Sequence, residues 1–372
     1  MNIGIDARLL ERKITGIGRV LINYLNEIPL YDKRNKYFLF SYGPINCNPS
    51  FYRNITTSKS KFPQKLFAPI WNNLILPFYL RKYKIDILFS VNQILPLIKI
   101  KNCKYVFMVH DVIYKADPDF LPLIYRKYLQ FFAYFSTKIC DKILTVSEYS
   151  KKDILKHYNI SEEKIKVILS SINPDFKPLN LTESEKSEFK RVLKLPETIV
   201  LYVGMIENRK NIYGLLKIAD IVRIKKADVE FVLVGKKGYG SKKIFKAINK
   251  RPNVKYLSDI DDKTLKKLYN IADVFLFPSF YEGFGYPPIE AMQSGLPVVT
   301  SKNTSLIEIV NSGGIMHDVK DIELMANDVL KLIEDREYHQ LIRNKGIERI
   351  KRFNQNNPAK ELVDIFNSFN SN

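Results

Sequence analysis

Glu282 and Glu290 bracket the turn EGFGYPPIE, which follows an apolar run ending at Phe277. Gly283 and Gly285 let the backbone come close to a ligand and take up positive φ. Pro287 and Pro288 suit the first turn of a helix, which places Glu290 in or near that turn. Two carboxylates so placed could accept hydrogen bonds from the vicinal hydroxyls of a sugar or a ribose. The glycine amides and the helix N-terminus would face phosphate oxygens. A plainer account has Glu290 complementing the helix dipole and Glu282 closing a loop. The ordered run of strand, Glu, glycines, prolines, Glu and Ala is more specific than that account requires.

Other segments carry chemistry at strand ends. His110-Asp111 follows the apolar run Tyr105 to Val109, where ligands bind in open parallel sheets. A loop-bracing histidine fits the same pattern equally well. Arg209-Lys210-Asn211 comes just after LYVGMIEN, and two adjacent cations at such an edge suit a diphosphate. Two glycine loops, Thr15-Gly16-Ile17-Gly18-Arg19 and Gly235 to Gly240, could each present amides to an anion, although an ordinary tight turn explains either. Neither is a P-loop. Asp117-Pro118-Asp119 and Asp259-Ile260-Asp261-Asp262 look like metal-binding pairs, but the first reads as turn chemistry and the second as an acidic helix start. No HExxH, cysteine-histidine cluster or GxSxG elbow is present, so no metal is expected.

The elements that must hold these groups follow from the apolar runs. Strands are expected at Ile3–Ile5, Tyr37–Ser41, Ile87–Ser90, Tyr105–Val109 and Ile143–Val146. A second series runs Val200–Val203, Phe231–Val234, Val254–Leu257, Val274–Phe277 and Pro297–Thr300. Several are continuous rather than alternating, as in strands buried on both faces of a parallel sheet. Helical patterns between them make βαβ units. The series restarts near Val200 after the polar, proline-bearing stretch Ser170 to Lys186. With 372 residues, two doubly wound domains are expected, 1–176 and 177–353, with a last helix over 354–372.

The net charge of +20 is uneven: residues 1–180 carry 28 basic and 14 acidic side chains, the remainder 31 and 25. The excess in the first half suggests an anionic partner there. Cys47, Cys103 and Cys140 are far apart and fit reduced thiols. The opening MNIGIDARLL reads as a strand, so no secretory leader is expected, and no apolar run reaches membrane-spanning length.

Taken together, several of these segments resemble one family. EGFGYPPIEAMQSGLPVV is similar to the E-x7-E signature of retaining glycosyltransferases of family 4, which have the GT-B fold of two Rossmann-like doubly wound domains facing across a cleft. GIDARLL…TGIGR, VHDVIYKADPDFLP, LTVSEYSKKDI and YVGMIENRKN resemble the family's other segments, in the right order over nearly the whole chain. The subgroup it looks most like builds bacterial surface polysaccharide, often with mannose. The resemblance implies that Arg209 and Lys210 hold the donor diphosphate and that Glu290 binds the ribose. Glu282 and the amides of Gly283, Phe284 and Gly285 would hold the sugar, His110 would contact it, and Gly16 and Gly204 would lie near the phosphates. It implies transfer of a hexose, with GDP-mannose favoured and UDP-glucose, UDP-GlcNAc or UDP-galactose the alternative, without a metal or cofactor. The chain departs from the family at Ser258, at Gly313 to Asp318, which lacks the usual proline, and near Asn354 to Asn357, where a tryptophan is missing.

Lys65 to Lys84 and Arg126 to Lys138 mix aromatic and basic residues. They could lie on an anionic membrane surface near a lipid-linked saccharide acceptor, although ordinary core helices with solvated lysines fit much of each stretch. A cytoplasmic enzyme, peripheral on the inner face of the membrane, is the resulting expectation. The rival is a basic nucleic-acid-binding protein, which no motif supports and for which the charge is too scattered; no nucleic acid is expected as a partner.

Overall fold

The continuous apolar runs form two parallel sheets in the computed structural model, which describes residues 1–11, 16–45, 51–57, 68–353 and 356–370. Cys47, Thr15 of the first glycine loop, Lys65 to Phe67 of the first basic-aromatic stretch, and Asn354 and Gln355 lie outside the described residues.

The first sheet has seven strands: β1 (Asn2–Asp6), β2 (Lys36–Ser41), β3 (Arg53–Thr56), β4 (Ile87–Ser90), β5 (Lys104–Val109), β6 (Lys142–Thr145) and β7 (Ile165–Val167). They lie in the order β3-β2-β1-β4-β5-β6-β7, every pair parallel. The second sheet has six strands, β8 (Thr198–Val203), β9 (Val229–Val234), β10 (Val254–Leu257), β11 (Val274–Phe277), β12 (Val298–Ser301) and β13 (Ile315–His317). Their order is β10-β9-β8-β11-β12-β13, again all parallel. This is the GT-B pattern of two doubly wound sheets. In each, the strand order reverses once, between β1 and β4 and between β8 and β11. A parallel sheet opens a crevice outside its carboxyl edge at that point.

The chain divides into two units, Met1–Ser171 with Asn356–Asn372, and Ile172–Gln355. The first boundary falls at Ser171, a few residues ahead of the position 176 read from sequence. The last helix, Pro358–Ser368, belongs to the first unit and packs against the helix Gly16–Tyr31. Its buried face presents Leu362, Val363 and Phe366. The ring of Phe366 meets Phe89 of β4 edge-on at 5.7 Å, and Asn367 accepts a hydrogen bond from Asn35 at 3.1 Å.

The two basic-aromatic stretches divide between core and surface. Trp71 is fully buried and donates its indole N–H to Thr57, so it belongs to the core rather than to an exposed stripe. Leu74 and Phe78 beside it are exposed, as are Ile124, Tyr125, Phe131, Tyr134 and Phe135 on the helix Leu123–Ile139. The segment after β4 ties these helices together: Leu97 N–H donates to Asn73 and Leu95 N–H to Ser136, both at 2.8 Å. No helix among the described residues is long and apolar enough to cross a membrane.

Phe366 contributes no chemistry, so its truncation isolates the packing of the last helix. Phe366→Ala is expected to cost about 3–5 kcal/mol of stability, the usual range for emptying a buried phenylalanine site. Chemical denaturation measures this, and an unchanged midpoint would show that the helix is an ornament.

Candidate functional site

At the reversal between β8 and β11, the residues that follow the two strands converge. After β8 the chain makes a short turn at Asn208–Lys210, and Asn211 then caps the helix Ile212–Lys225, its side chain accepting from Gly214 N–H at 3.1 Å. After β11 the chain runs through Ser279 to Glu282 and into the helix Tyr286–Gln293. Lys210 and Glu282 form a buried ion pair through Nζ and Oε1. Arg209 Nη1 lies 3.5 Å from the other carboxylate oxygen, and Ser279 Oγ donates to Oε1 at 2.7 Å. Burial opposes the charge on Glu282, but Lys210 and Arg209 overcome it and hold the carboxyl below its usual range. Glu282 is therefore an ionised acceptor and has no proton to give.

Arg209 is gripped on its other side. Its Nε donates to Glu207 Oε1 at 3.0 Å, its Nη2 lies 2.9 Å from the same oxygen, and its Nη1 donates to the Tyr281 carbonyl at 3.0 Å. The four side chains Glu207, Arg209, Lys210 and Glu282 thus balance two positive charges against two negative ones. The second glycine loop closes over this group instead of forming a separate anion site. Gly238 N–H donates to the Ile206 carbonyl at 3.0 Å, and a Cβ on Gly238 would stand 2.7 Å from a Glu207 carboxylate oxygen.

The remaining donor-site candidates in this unit lie along the same edge. Gly204 ends β8 in close quarters: a Cβ there would meet the Tyr202 hydroxyl at 2.6 Å. Gly285 has φ +117° and caps the helix Tyr286–Gln293, a conformation that costs a side-chain-bearing residue several times more than glycine. The carbonyls of Glu282 and Phe284 both accept from Ser305 Oγ, at 3.0 and 2.8 Å, and Glu282 N–H donates to Thr304 Oγ1 at 3.2 Å. Phe284 itself is buried against Tyr286 and Phe353. Glu290 falls in the second turn of its helix, not the first, because Gly285 is the cap. It therefore does not serve the helix terminus. Its carboxylate accepts from the buried Tyr269 hydroxyl at 2.9 Å, and Phe176 packs edge-on against that tyrosine.

His110 and Gly16 belong to the first unit. Gly16 is exposed at the start of the helix Gly16–Tyr31, with no atom near the position a Cβ would take. His110 follows β5 and is buried. A ring N–H donates to the Val91 backbone, and Nε2 has no hydrogen-bond partner among the described residues. That assigns Nε2 the lone pair, an acceptor for a hydroxyl. The acidic pairs do not assemble: Asp119 pairs with Arg126 at 3.2 Å, Asp261 caps a helix by accepting from Thr264 N–H at 2.7 Å, and no group of three or more His, Cys, Asp or Glu among the described residues could hold a metal ion.

Comparison with known proteins meets this geometry from another direction. The glycosyl transferases group 1 pattern matches residues 183–349, and the glycosyltransferase family 4 pattern matches residues 38–176, so that together they span most of both units. The chain belongs to glycosyltransferase family 4. This glycosyltransferase is 28% identical to the O-antigen chain mannosyltransferase B of Escherichia coli, across 98% of this chain and 99% of that one. It is 25% identical to the serotype-specific mannosyltransferase WbdA of the same species over 71% of its own length and 33% of that protein's. Among solved structures, sucrose-phosphate synthase from Thermosynechococcus elongatus superposes with a TM-score of 0.78 at 18% identity, covering 100% of this chain and 99% of that one. WaaG, a glycosyltransferase involved in lipopolysaccharide biosynthesis, gives 0.75 at 16% identity, covering 98% and 99%. These likenesses show the GT-B fold. The rival reading of a basic nucleic-acid-binding protein gives way to an enzyme.

Three contributors to the glycosyltransferase's candidate site escape sequence reasoning: Glu207, Ser279 and Tyr269. Glu207 stands two residues before Arg209, a spacing that could have flagged it. Tyr269 lies 21 residues before Glu290, and only the packing of the helix Asp262–Ile271 brings its hydroxyl to the carboxylate.

Burial pushes the His110 imidazole down to about 4 from an ordinary 6.5, although the bond to Val91 pulls the other way. An unfolded chain takes up this proton near pH 6.5, whereas the folded protein refuses it until about pH 4. The unfolded state therefore binds more protons in that window, and stability falls with acid there by up to about 1.4 kcal/mol per pH unit. His110→Gln is expected to flatten that slope. Urea denaturation at a series of pH values checks this, and an unchanged slope would contradict the assignment of a neutral imidazole.

Proposed function

We propose that this enzyme transfers a hexose, with mannose from GDP-mannose favoured, from a nucleotide-sugar donor to a saccharide acceptor in surface-polysaccharide synthesis. The observation that carries the reading is the buried convergence of Arg209, Lys210 and Glu282 at the sheet's reversal point. Two cations on one strand end suit a leaving diphosphate, and an ionised carboxylate on the next suits sugar hydroxyls. The O-antigen mannosyltransferase relative supports mannose, and a nucleotide-sugar donor is supported by a fold neighbour, Anabaena HepE, whose structures are in complex with UDP and glucose and with UDP-glucose.

In this scheme Arg209 and Lys210 neutralise the diphosphate as the bond to the sugar breaks, so the scheme requires no metal. Glu282 and the amides of Gly283, Phe284 and Gly285 hold the sugar, Glu290 holds the ribose, and Gly204 and Gly16 leave room for the phosphates. The role of His110 rests on its family resemblance and on its neutral imidazole with Nε2 as acceptor. Retention of anomeric configuration follows a front-face route in which the leaving phosphate accepts the acceptor's proton. Glu282 is a poor nucleophile because Lys210, Arg209 and Ser279 already occupy its lone pairs. A double-displacement pair would also need two carboxyl groups about 5 Å apart across the reacting bond, and Glu290 is assigned to the ribose.

Lys210→Ala and Glu290→Ala are each expected to abolish transfer, by 100-fold or more on the order set by a lost transition-state charge partner, while circular dichroism stays native. Near-normal turnover in both variants would overturn these assignments. The donor is read from thermal shifts with GDP-, UDP- and ADP-sugars, because a ligand that binds only the folded state raises its melting point. A shift with GDP-mannose is expected, and a shift with a UDP-sugar alone would move the donor to that class.

The acceptor is lipid-linked in this reading, and the first unit docks on an anionic cytoplasmic leaflet. The exposed Leu74, Phe78, Ile124, Phe131, Tyr134 and Phe135 supply the apolar face, and the basic excess of residues 1–180 supplies the charge. Co-sedimentation with phosphatidylglycerol-containing vesicles is expected to exceed that with phosphatidylcholine and to fall with salt. Absence of binding to both would sink this part of the proposal.

A further inference from the structure

The polar, proline-bearing stretch Ser170 to Lys186 reads in the sequence as a boundary between domains, and the proposed reaction has so far given it no role. Its middle is nevertheless built into the second unit. The residues between β7 and the helix Glu183–Leu193 form neither helix nor strand, yet Phe176 among them is 1% exposed. A turn presents this side chain: Asn173 Oδ1 accepts from Asp175 N–H at 2.9 Å, and the Asn173 carbonyl accepts from Phe176 N–H at 3.3 Å. The turn is fastened to the helix Asp262–Ile271. Lys266 donates to Asp175 at 2.7 Å, Asn270 Oδ1 accepts from Leu179 N–H at 2.7 Å, and Asn270 Nδ2 donates to the Lys177 carbonyl at 3.2 Å.

These fastenings seat Phe176 on Tyr269 of the same helix. The two rings meet edge-on with centres 5.6 Å apart, and Phe275 of β11 packs on the same tyrosine at 5.7 Å. Tyr269 is buried, so its ring has little freedom to turn. Its hydroxyl donates to Glu290 Oε2 at 2.9 Å. A core built for stability alone would not choose this pair. Phenylalanine at 269 would fill the same space with no polar atom to satisfy. Glu290 is buried as well, and taking a carboxylate out of water is costly even when it is paired. Apolar side chains at both positions would pack without either cost, so the hydroxyl and the carboxylate point to a ligand.

The ligand that gains from this arrangement is a vicinal diol. An ionised carboxylate can accept at several lone-pair positions, and a phenol hydrogen bond takes one of them while restraining the group's rotation. Two neighbouring hydroxyls then meet oxygens whose directions are already set, and less ordering is left for the moment of binding. We propose that Tyr269 and Phe176 are positioning residues for the donor ribose. Tyr269 orients Glu290 through its hydroxyl, and Phe176, from the boundary segment, holds Tyr269. This deepens the proposed function and rests on its assignment of Glu290 to the ribose. The start of the second unit is then a part of donor recognition rather than a passive tether.

The test compares a ribonucleotide with its counterpart lacking both ribose hydroxyls. GDP and dideoxy-GDP, with UDP and dideoxy-UDP in parallel, are titrated calorimetrically into the full chain. The unmodified chain is expected to favour a ribonucleotide over its dideoxy form. Tyr269→Phe keeps the ring and loses the hydroxyl. It is expected to weaken the ribonucleotide about tenfold, the value of one hydrogen bond, and to leave the dideoxy form unchanged. Phe176→Leu keeps a buried apolar side chain and loses the ring contact. It is expected to act in the same direction by about threefold. A merely structural role would weaken both ligands alike, or neither, and leave the ratio between them unmoved. An unmoved ratio in Tyr269→Phe would overturn the inference, and an unmoved ratio in Phe176→Leu alone would overturn the part given to Phe176. Equal binding of the ribose and dideoxy forms by the unmodified chain, or binding of neither, would instead defeat the assignment of Glu290 to the ribose.

Discussion

The buried contact between Lys210 and Glu282 constrains everything around it. Either charge alone in that position would be costly, because removing a charged group from water costs several kcal/mol unless an opposite charge and further hydrogen bonds replace the water. Arg209, Ser279 and, through Arg209, Glu207 supply those replacements. To bring them together, β8 and β11 must be neighbours, although three α-helices and two strands separate them in the chain. The parallel order with its single reversal accomplishes this, since the residues after β8 and after β11 leave the sheet on the same edge and diverge to opposite faces. The ion cluster is thus a consequence of sheet topology, and the apolar strands that build the sheet are the condition for any chemistry there.

A cluster of balanced charge is a poor source of stability and a good template for a charged ligand. Well-packed apolar residues would hold the same loops together at no desolvation cost. In the proposed reaction the charges would add readiness: a diphosphate would meet cations whose positions are already set, and a sugar a carboxylate that is already ionised. The glycine loop over Glu207 fits the same economy, since a side chain at Gly238 would collide with the carboxylate that holds Arg209. In the first sheet, Arg8 is paired with Asp6 and stacked on Trp71.

Family membership and local geometry bear on different parts of the function. The family patterns and the full-length likeness to an O-antigen mannosyltransferase establish a glycosyltransferase. They do not by themselves say which group holds which atom. Hydrogen bonding bears on the state of two candidates: Glu282 is held ionised by its partners, and Glu290 accepts from Tyr269.

All ten strands expected from the sequence are present, because strands buried on both faces must be continuously apolar and such runs are visible without context. The three that sequence did not reveal, β3, β7 and β13, each lie at an edge of a sheet. These three are short and mix polar and apolar types, so they leave no run to read, whereas the edge strand β10 keeps a legible VKYL. The same division holds for the site. Glu282, Glu290, Arg209, Lys210 and His110 are legible because strand ends, glycines and prolines mark them locally. Glu207, Ser279 and Tyr269 enter through partnerships across distant sequence, and only packing creates them. The fate of aromatic residues was likewise undecided by type. Trp71 and Phe78 stand seven residues apart in one stretch, yet one is core and the other surface, because burial depends on what packs over each residue and not on its type. Sequence determines which residues can do chemistry, since that is a property of side chains. The tertiary structure decides which of them meet and in what charge state, since both depend on the partners and the water that folding brings together or excludes.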